Sequence, residues 1–198
     1  MNGTTKVVLV ALAAGGLGVF ASVLTTGPGP LLRSESGQRA LNAVLSANAT
    51  KPPPGVAVAQ LGQSIPTVTL PALDGSKVNV PAAYRGRPLL INVWASWCGP
   101  CVREMPELQR YSAQHAANGA QVVGIAQDDG VAVRAFLKRV EVTYPILLDT
   151  PGPADAGVRL GNASGVLPYS ILVSPDGRML KQRIGPFAGG EIEAWVRD

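Results

Sequence analysis

Cys98 and Cys101 are the only cysteines of the 198-residue chain, and they stand two apart in Trp97-Cys98-Gly99-Pro100-Cys101. Two thiols at that spacing can close a disulfide and reopen it, so their chemistry is thiol–disulfide exchange. A structural staple is the poorer reading, because a two-residue loop removes little loop-closure entropy. A tetrahedral zinc site is excluded as well: two cysteines and the single His115 supply too few nitrogen and sulfur ligands.

The elements that hold the pair follow from the flanking residues. Pro88-Leu89-Leu90-Ile91-Asn92-Val93-Trp94 is an apolar run that reads as a buried strand. Val102 to Ala117 has helical spacing, so the active-site helix is expected over about residues 99–117, with Pro106 inside it. A helix N-terminus carries partial positive charge and unpaired N–H groups, and both favour a thiolate. Pro100 suits the first helical turn, having no N–H to lose. Cys98 is therefore the expected exposed nucleophile and Cys101, one turn in, the resolving thiol.

The block from Asn92 to Pro106, Asn-Val-Trp-Ala-Ser-Trp-Cys-Gly-Pro-Cys-Val-Arg-Glu-Met-Pro, resembles the thioredoxin superfamily. Within it, the leading Asn92 and the trailing Arg-Glu-Met-Pro resemble the TlpA/ResA-like extracytoplasmic thiol–disulfide oxidoreductases. The resemblance implies an α/β thioredoxin-like fold, a mixed central sheet flanked by helices, with an added N-terminal β-hairpin. The chain supplies elements in that order. Thr67–Leu70 and Lys77–Val80 flank an Asp74-Gly75 turn signal. Strands follow near 88–94 and 121–126, and a helix near 131–140. After a short strand at 144–148 and a helix or loop at 154–161, a hairpin of 169–174 and 178–184 turns at Pro175-Asp176-Gly177. A closing helix starts near Gly190.

Further site residues come from resemblance and local chemistry together. Pro168 precedes a strand where thioredoxin folds carry a cis-proline facing the dithiol. A proline there cannot donate to the ladder and leaves neighbouring backbone free for substrate, so Leu167 is the expected backbone contact. Tyr169 follows where Thr or Val is usual in the family, which bears on the local surface and on partner choice. Glu104 lies three residues after Cys101 on the same helical face. A carboxylate there raises a buried thiol's pKa and can accept its proton; the bland alternative is a solvent-facing Glu104 paired with Arg103 or Arg110. Asn92 occupies the position of the buried acid of cytoplasmic thioredoxin and cannot titrate, which points to Glu104 or water instead. Trp97 is read as an exposed apolar lip that contacts substrate with Gly99 and Pro100, and Trp94 as core. His115 reads as a polar helix-end residue, and Asp128-Asp129 as a helix-capping pair.

The formal charge of +4 is local. Residues 1–60 hold four Lys/Arg and one acid, and residues 61–198 hold thirteen Lys/Arg and twelve acids. The folded part is nearly neutral, and no basic patch in it suggests nucleic acid. Val7 to Leu24 is uncharged and mostly apolar, and its eighteen residues would cover about 27 Å as a helix. The expected organisation is a membrane anchor over 1–26, a Pro-rich linker over 27–60 and a thioredoxin-like domain over 61–198. The positive-inside rule puts Lys6 in the cytoplasm and the domain outside the bacterial inner membrane, in or facing the periplasm. A signal peptide cleaved near Val19-Phe20-Ala21 is the competing reading, and it also exports the domain. In the linker, Gly27-Pro28-Gly29-Pro30 and Lys51-Pro52-Pro53-Pro54-Gly55 read as extended spacers. A short amphipathic helix near 35–47, carrying Leu41, Val44 and Leu45, or a partly disordered tether lies between them.

No phosphate-binding or dinucleotide motif occurs, so no cofactor beyond the Cys98–Cys101 disulfide is expected and electrons must come from a partner protein. The resemblance implies a reductase of protein disulfides, fed by a DsbD/CcdA-type membrane donor, with apocytochrome c or an oxidase copper-centre protein as substrate. The Gly-Pro dipeptide is shared with thioredoxin, poised near about −270 mV, rather than with oxidants such as DsbA near about −120 mV. A Cu(I) carrier using the same two soft thiolates is the alternative, with only Met105 and Met179 to assist outside the N-terminal segment. A thiol peroxidase would need its cysteine in a different local context. The domain is expected to be a monomer.

Overall fold

A computed structural model describes Thr5 and residues 29–197 of the chain. The expected span over 7–24 lies outside the described residues. Among those described, no helix is long and apolar enough to cross a membrane. The chain forms two compact units, Met1–Leu41 and Asn42–Asp198. In the first, helix α1 spans Gly29–Arg33. The second half of the Gly-Pro repeat is thus helical rather than extended, because a proline's fixed φ and missing N–H fit a first helical turn. Helix α2, Glu35–Ala47, starts where Ser34 Oγ accepts the Gly37 N–H at 3.1 Å.

After the end of α2, which runs into the second unit, comes an antiparallel hairpin, β1 (Val68–Pro71) and β2 (Lys77–Val80), in which Val68 pairs with Val80. Asp74 shapes its turn by accepting from the Ser76 N–H and hydroxyl. The main sheet contains β3 (Leu89–Trp94), β4 (Gln121–Gln127), β5 (Ile146–Asp149), β6 (Tyr169–Val173) and β7 (Met179–Ile184). Its order is β5-β4-β3-β6-β7. β3, β4 and β5 run parallel, while β6 is antiparallel to β3 and β7 to β6. All six residues of β3 are buried, as befits a central strand covered on both faces.

Side chains alternate along β3, so its two faces serve two layers. Leu90 and Trp94 join one core with Cys101, Met105 and Leu108 of helix α3 (Gly99–Gln114), Phe136 of α4 (Gly130–Leu137) and Ile192 of α6 (Glu191–Arg197). Leu89, Ile91 and Val93 are buried on the opposite face. A short helix α5, Ala156–Arg159, lies between β5 and β6.

Helix α3 stops three residues before the expected Ala117. The carbonyls beyond its end bond to Arg87 instead, which donates to Ala116 O at 2.6 Å and Gly119 O at 2.7 Å. His115 caps the helix and stacks on Tyr111 at 4.5 Å between ring centres. Helix α4 likewise ends before the expected Val140. Asp129 caps it, accepting from the N–H groups of Val131 and Ala132 at 2.6 and 3.1 Å. Asp128 does not share in the cap: its carboxylate turns to Ser96.

Candidate active site

The strand-to-helix turn after β3 carries the two sulfurs, joined as a Cys98–Cys101 disulfide. Cys98 is the N-cap residue of α3, and its Sγ accepts the Cys101 N–H at 3.3 Å. Cys98 is not openly exposed as expected: in the disulfide it is 6% exposed, because it packs into the core cluster with Trp94 and Cys101, and Cys101 is fully buried. Trp97 stands 70% exposed beside them. Gly99 is exposed and Pro100 half-buried in the first helical turn. Upstream, Asp128 accepts both the Ser96 N–H, at 3.0 Å, and the Ser96 hydroxyl. That carboxylate ties the turn carrying Cys98 to the end of β4.

The Leu167–Pro168 peptide bond is cis. Tyr169 pairs with Val93, which sets Pro168 beside the end of β3 that leads into Cys98. The Pro168 carbonyl accepts the Gly185 N–H at 2.9 Å, whereas the N–H and carbonyl of Leu167 have no partner among the described residues. The Leu167 side chain packs against the core cluster that includes both cysteines. Tyr169 departs from expectation. It is fully buried, and its hydroxyl donates to Leu160 O at 3.0 Å. Alternation along β6 turns it away from the face that Ser170 shares with Asn92, so it does not shape the surface near the dithiol.

Below the pair, a row of residues crosses the sheet. Gly124 of β4, Asn92 of β3, Ser170 of β6 and Arg183 of β7 are register neighbours in that order. Glu104 comes down onto this row from α3. It is 1% exposed, so the solvent-facing alternative is excluded; Arg110 pairs instead with Glu107 and Glu193. Glu104 Oε1 accepts from Asn92 Nδ2 at 2.8 Å, and Oε2 accepts from the Phe187 N–H at 2.9 Å. Burial pushes the Glu104 carboxyl up to about 7, against the opposing pull of the Phe187 amide, the Asn92 amide and the Arg183 charge. A carboxyl poised there can give or take a proton near neutral pH.

Sequence reasoning reached Cys98, Cys101, Glu104, Pro168, Trp97, Gly99, Pro100 and Leu167, and the structure gathers them around one helix N-terminus and one strand start. It missed Ser170, Phe187, Arg183 and the Asp128–Ser96 tether. Their only sequence signals were an arginine inside an expected strand and an aspartate after β4. Among the described residues, no group of three or more His, Cys, Asp or Glu is placed to hold a metal ion.

A dithiol capping a helix, opposite a cis-proline on this strand order, defines a thiol–disulfide oxidoreductase of the thioredoxin superfamily. Comparison with known proteins agrees. The Redoxin family's sequence model matches residues 60–194. The chain belongs to the Redoxin family and is a TlpA/ResA-like member of the superfamily. It is 26% identical over 141 residues to the thiol-disulfide oxidoreductase ResA of Bacillus cereus, covering 70% of this chain and 78% of that one. It is 26% identical over 151 residues to the sporulation thiol-disulfide oxidoreductase A of Bacillus subtilis, covering 73% and 88%. Among solved structures it is similar to a thiol-disulfide oxidoreductase from Bacteroides fragilis, with TM-score 0.58, 29% identity and coverage of 68% and 98%. It is also similar to StoA from Bacillus subtilis, with TM-score 0.53, 25% identity and coverage of 67% and 97%.

Proposed function

We propose that the chain is a membrane-anchored, extracytoplasmic reductase of protein disulfides. The Cys98 thiolate attacks one sulfur of a substrate disulfide, and the other substrate sulfur leaves and takes up a proton. Cys101 then gives up its proton, with Glu104 as acceptor, and attacks the Cys98 sulfur. The second substrate thiol is released as the Cys98–Cys101 disulfide closes. Two electrons pass to the substrate; the proton on its first thiol comes from solvent, and that on its second comes from Cys101 by way of Glu104. A DsbD/CcdA-type membrane dithiol returns the electrons by the reverse exchange.

The observation that carries this reading is the asymmetry of the pair. Cys98 keeps a small exposed area, 6%, beside exposed Trp97, while Cys101 is fully buried, with Glu104 buried one turn along the same helix. Leu167 offers unpaired backbone to a bound peptide across from them, and Trp97, Gly99 and Pro100 give it an apolar rim. Cytochrome c or oxidase copper-centre maturation fits a reductase of thiols that must be reduced before they take up haem or metal.

The test uses single-cysteine variants of the purified chain with a disulfide-bonded model protein. Cys101→Ser is expected to accumulate a mixed disulfide through Cys98, and Cys98→Ser to accumulate none. A reduction potential below about −200 mV supports the reductase direction, and one near about −120 mV contradicts it.

A further inference from the structure

Arg183 is the least expected member of the buried row. It is 2% exposed, and an arginine is almost never so buried unless paired. Its guanidinium makes a two-pronged contact with Glu191, Nη1 to Oε1 and Nη2 to Oε2, each at 3.0 Å. Nη2 also donates to Pro186 O at 3.0 Å. The guanidinium lies over the Phe187 ring, 4.7 Å from its centre. Glu191 in turn accepts the Ala188 N–H at 2.8 Å. Every one of these contacts acts on the segment from Pro186 to Glu191. That segment presents the Phe187 N–H to Glu104.

We propose that Arg183, held by Glu191, is a positioning residue for the dithiol: it fixes the Phe187 amide against Glu104 and places a positive charge beside that carboxyl. The inference rests on the reading of Glu104 as the proton carrier for Cys101. Its geometry is independent of that reading, because Arg183 sits two strands from Asn92 in one cross-strand row. A lysine could supply the charge but not the planar fork that engages Glu191 and Pro186 together.

The groups that face Glu104 come from every element around it. Asn92 reaches it from β3 and the Phe187 amide from the loop after β7. Arg183 from β7 acts on it by charge, and the buried hydroxyl of Tyr144, just before β5, feels the charge of Glu104. Ser170 of β6 acts through Asn92, and the cysteines share its own helix. Arg183 is the one cation in this set, so its removal must favour the neutral carboxyl.

The experiment follows the Glu104 side-chain carboxyl by carbon-13 NMR in the full, oxidised chain as pH is varied. Arg183→Gln is expected to move its midpoint up by about one pH unit, a tenfold gain in proton affinity. Arg183→Lys is expected to fall between that variant and the wild type. An unmoved midpoint in a folded Arg183→Gln overturns the proposal. A second reading needs no variant: in the wild type, the Phe187 amide and the Arg183 Nε–H should both shift with the Glu104 midpoint. Flat signals there overturn it even where Arg183→Gln does not fold. The Glu104→Gln variant separates the two claims. If its thiol-exchange pH profile matches the wild type, the proton-carrier reading fails while the NMR titration still decides the clamp.

Discussion

Asn92 Nδ2 donates to Glu104 Oε1 at 2.8 Å, and the same amide nitrogen donates to Ser170 Oγ at 3.0 Å. Among the described residues, Asn92 Oδ1 is buried without a partner. This arrangement suits both protonation states of Glu104. The carboxylate accepts from Asn92 and from the Phe187 amide. A protonated carboxyl needs an acceptor, and rotating the Asn92 amide by half a turn supplies Oδ1. A buried amide can therefore follow a proton that it cannot itself carry.

Stability should depend on pH through Glu104. The folded chain holds this carboxyl's proton up to about 7, above its ordinary value of 4.5, so the native state binds more protons than the unfolded chain between those values. Stability then falls as pH rises through that window, by on the order of 3 kcal/mol, and levels off above it. Glu104→Gln should flatten the curve, and urea denaturation of both oxidised chains from pH 4 to 8 checks it. Equal slopes in the two chains would contradict the assignment.

Asn92→Asp places a second carboxyl in hydrogen-bond reach of Glu104. Two such groups cannot both ionise easily, so the pair should titrate in two steps, the upper one above the wild-type midpoint. The alkaline limb of the thiol-exchange rate should move with it. The check is a pH–rate profile with a disulfide peptide, and an unshifted limb would count against coupling between this row and the dithiol.

The Asp128 tether should matter more for rate than for fold. Asp128→Ala leaves the Ser96 N–H and hydroxyl without their acceptor, at a cost of about 1 kcal/mol at this half-buried site. The turn bearing Cys98 loosens, and a nucleophile displaced by a fraction of an ångström should slow exchange roughly tenfold. Stopped-flow reduction of a peptide disulfide measures it. Asp129→Ala, which removes only the α4 cap, should leave the exchange rate unchanged.

Gly124 is the small member of the row for a steric reason. A Cβ there would lie 2.6 Å from Ile146 Cδ1 and 2.9 Å from Trp94 Nε1. Gly124→Ala should destabilise the chain by roughly 1–3 kcal/mol through overpacking. A denaturation midpoint equal to the wild type's would show that the neighbours yield freely.

Much of this was legible in the chain, for identifiable reasons. The Cys98–Cys101 spacing, the apolar run into Trp94 and the turn signals at Asp74-Gly75 and Asp176-Gly177 are local, and local patterns survive folding. Glu104 was reachable because helical spacing puts it on the face of Cys101, where resemblance to the TlpA/ResA-like branch implies an acid near the dithiol. The row beneath was not. Gly124, Ser170 and Arg183 meet Asn92 only through strand register, which depends on pairings between distant segments. Asp128 and Asp129 look alike in sequence, yet only Asp129 caps α4, because the end of β4 aims Asp128 at the neighbouring turn. The side of the sheet on which Tyr169 lies was not legible from its position, since it depends on the pleat of β6, which turns it to the far face.

Direction of electron flow is the central claim, and acid-quenched thiol trapping of Cys98 and Cys101 in intact cells tests it most directly. A reductase supplied with electrons from a membrane donor should hold the pair mostly as dithiol, and the pair should become oxidised when the donor is removed. A pair found mostly as disulfide while the donor is active would contradict the account.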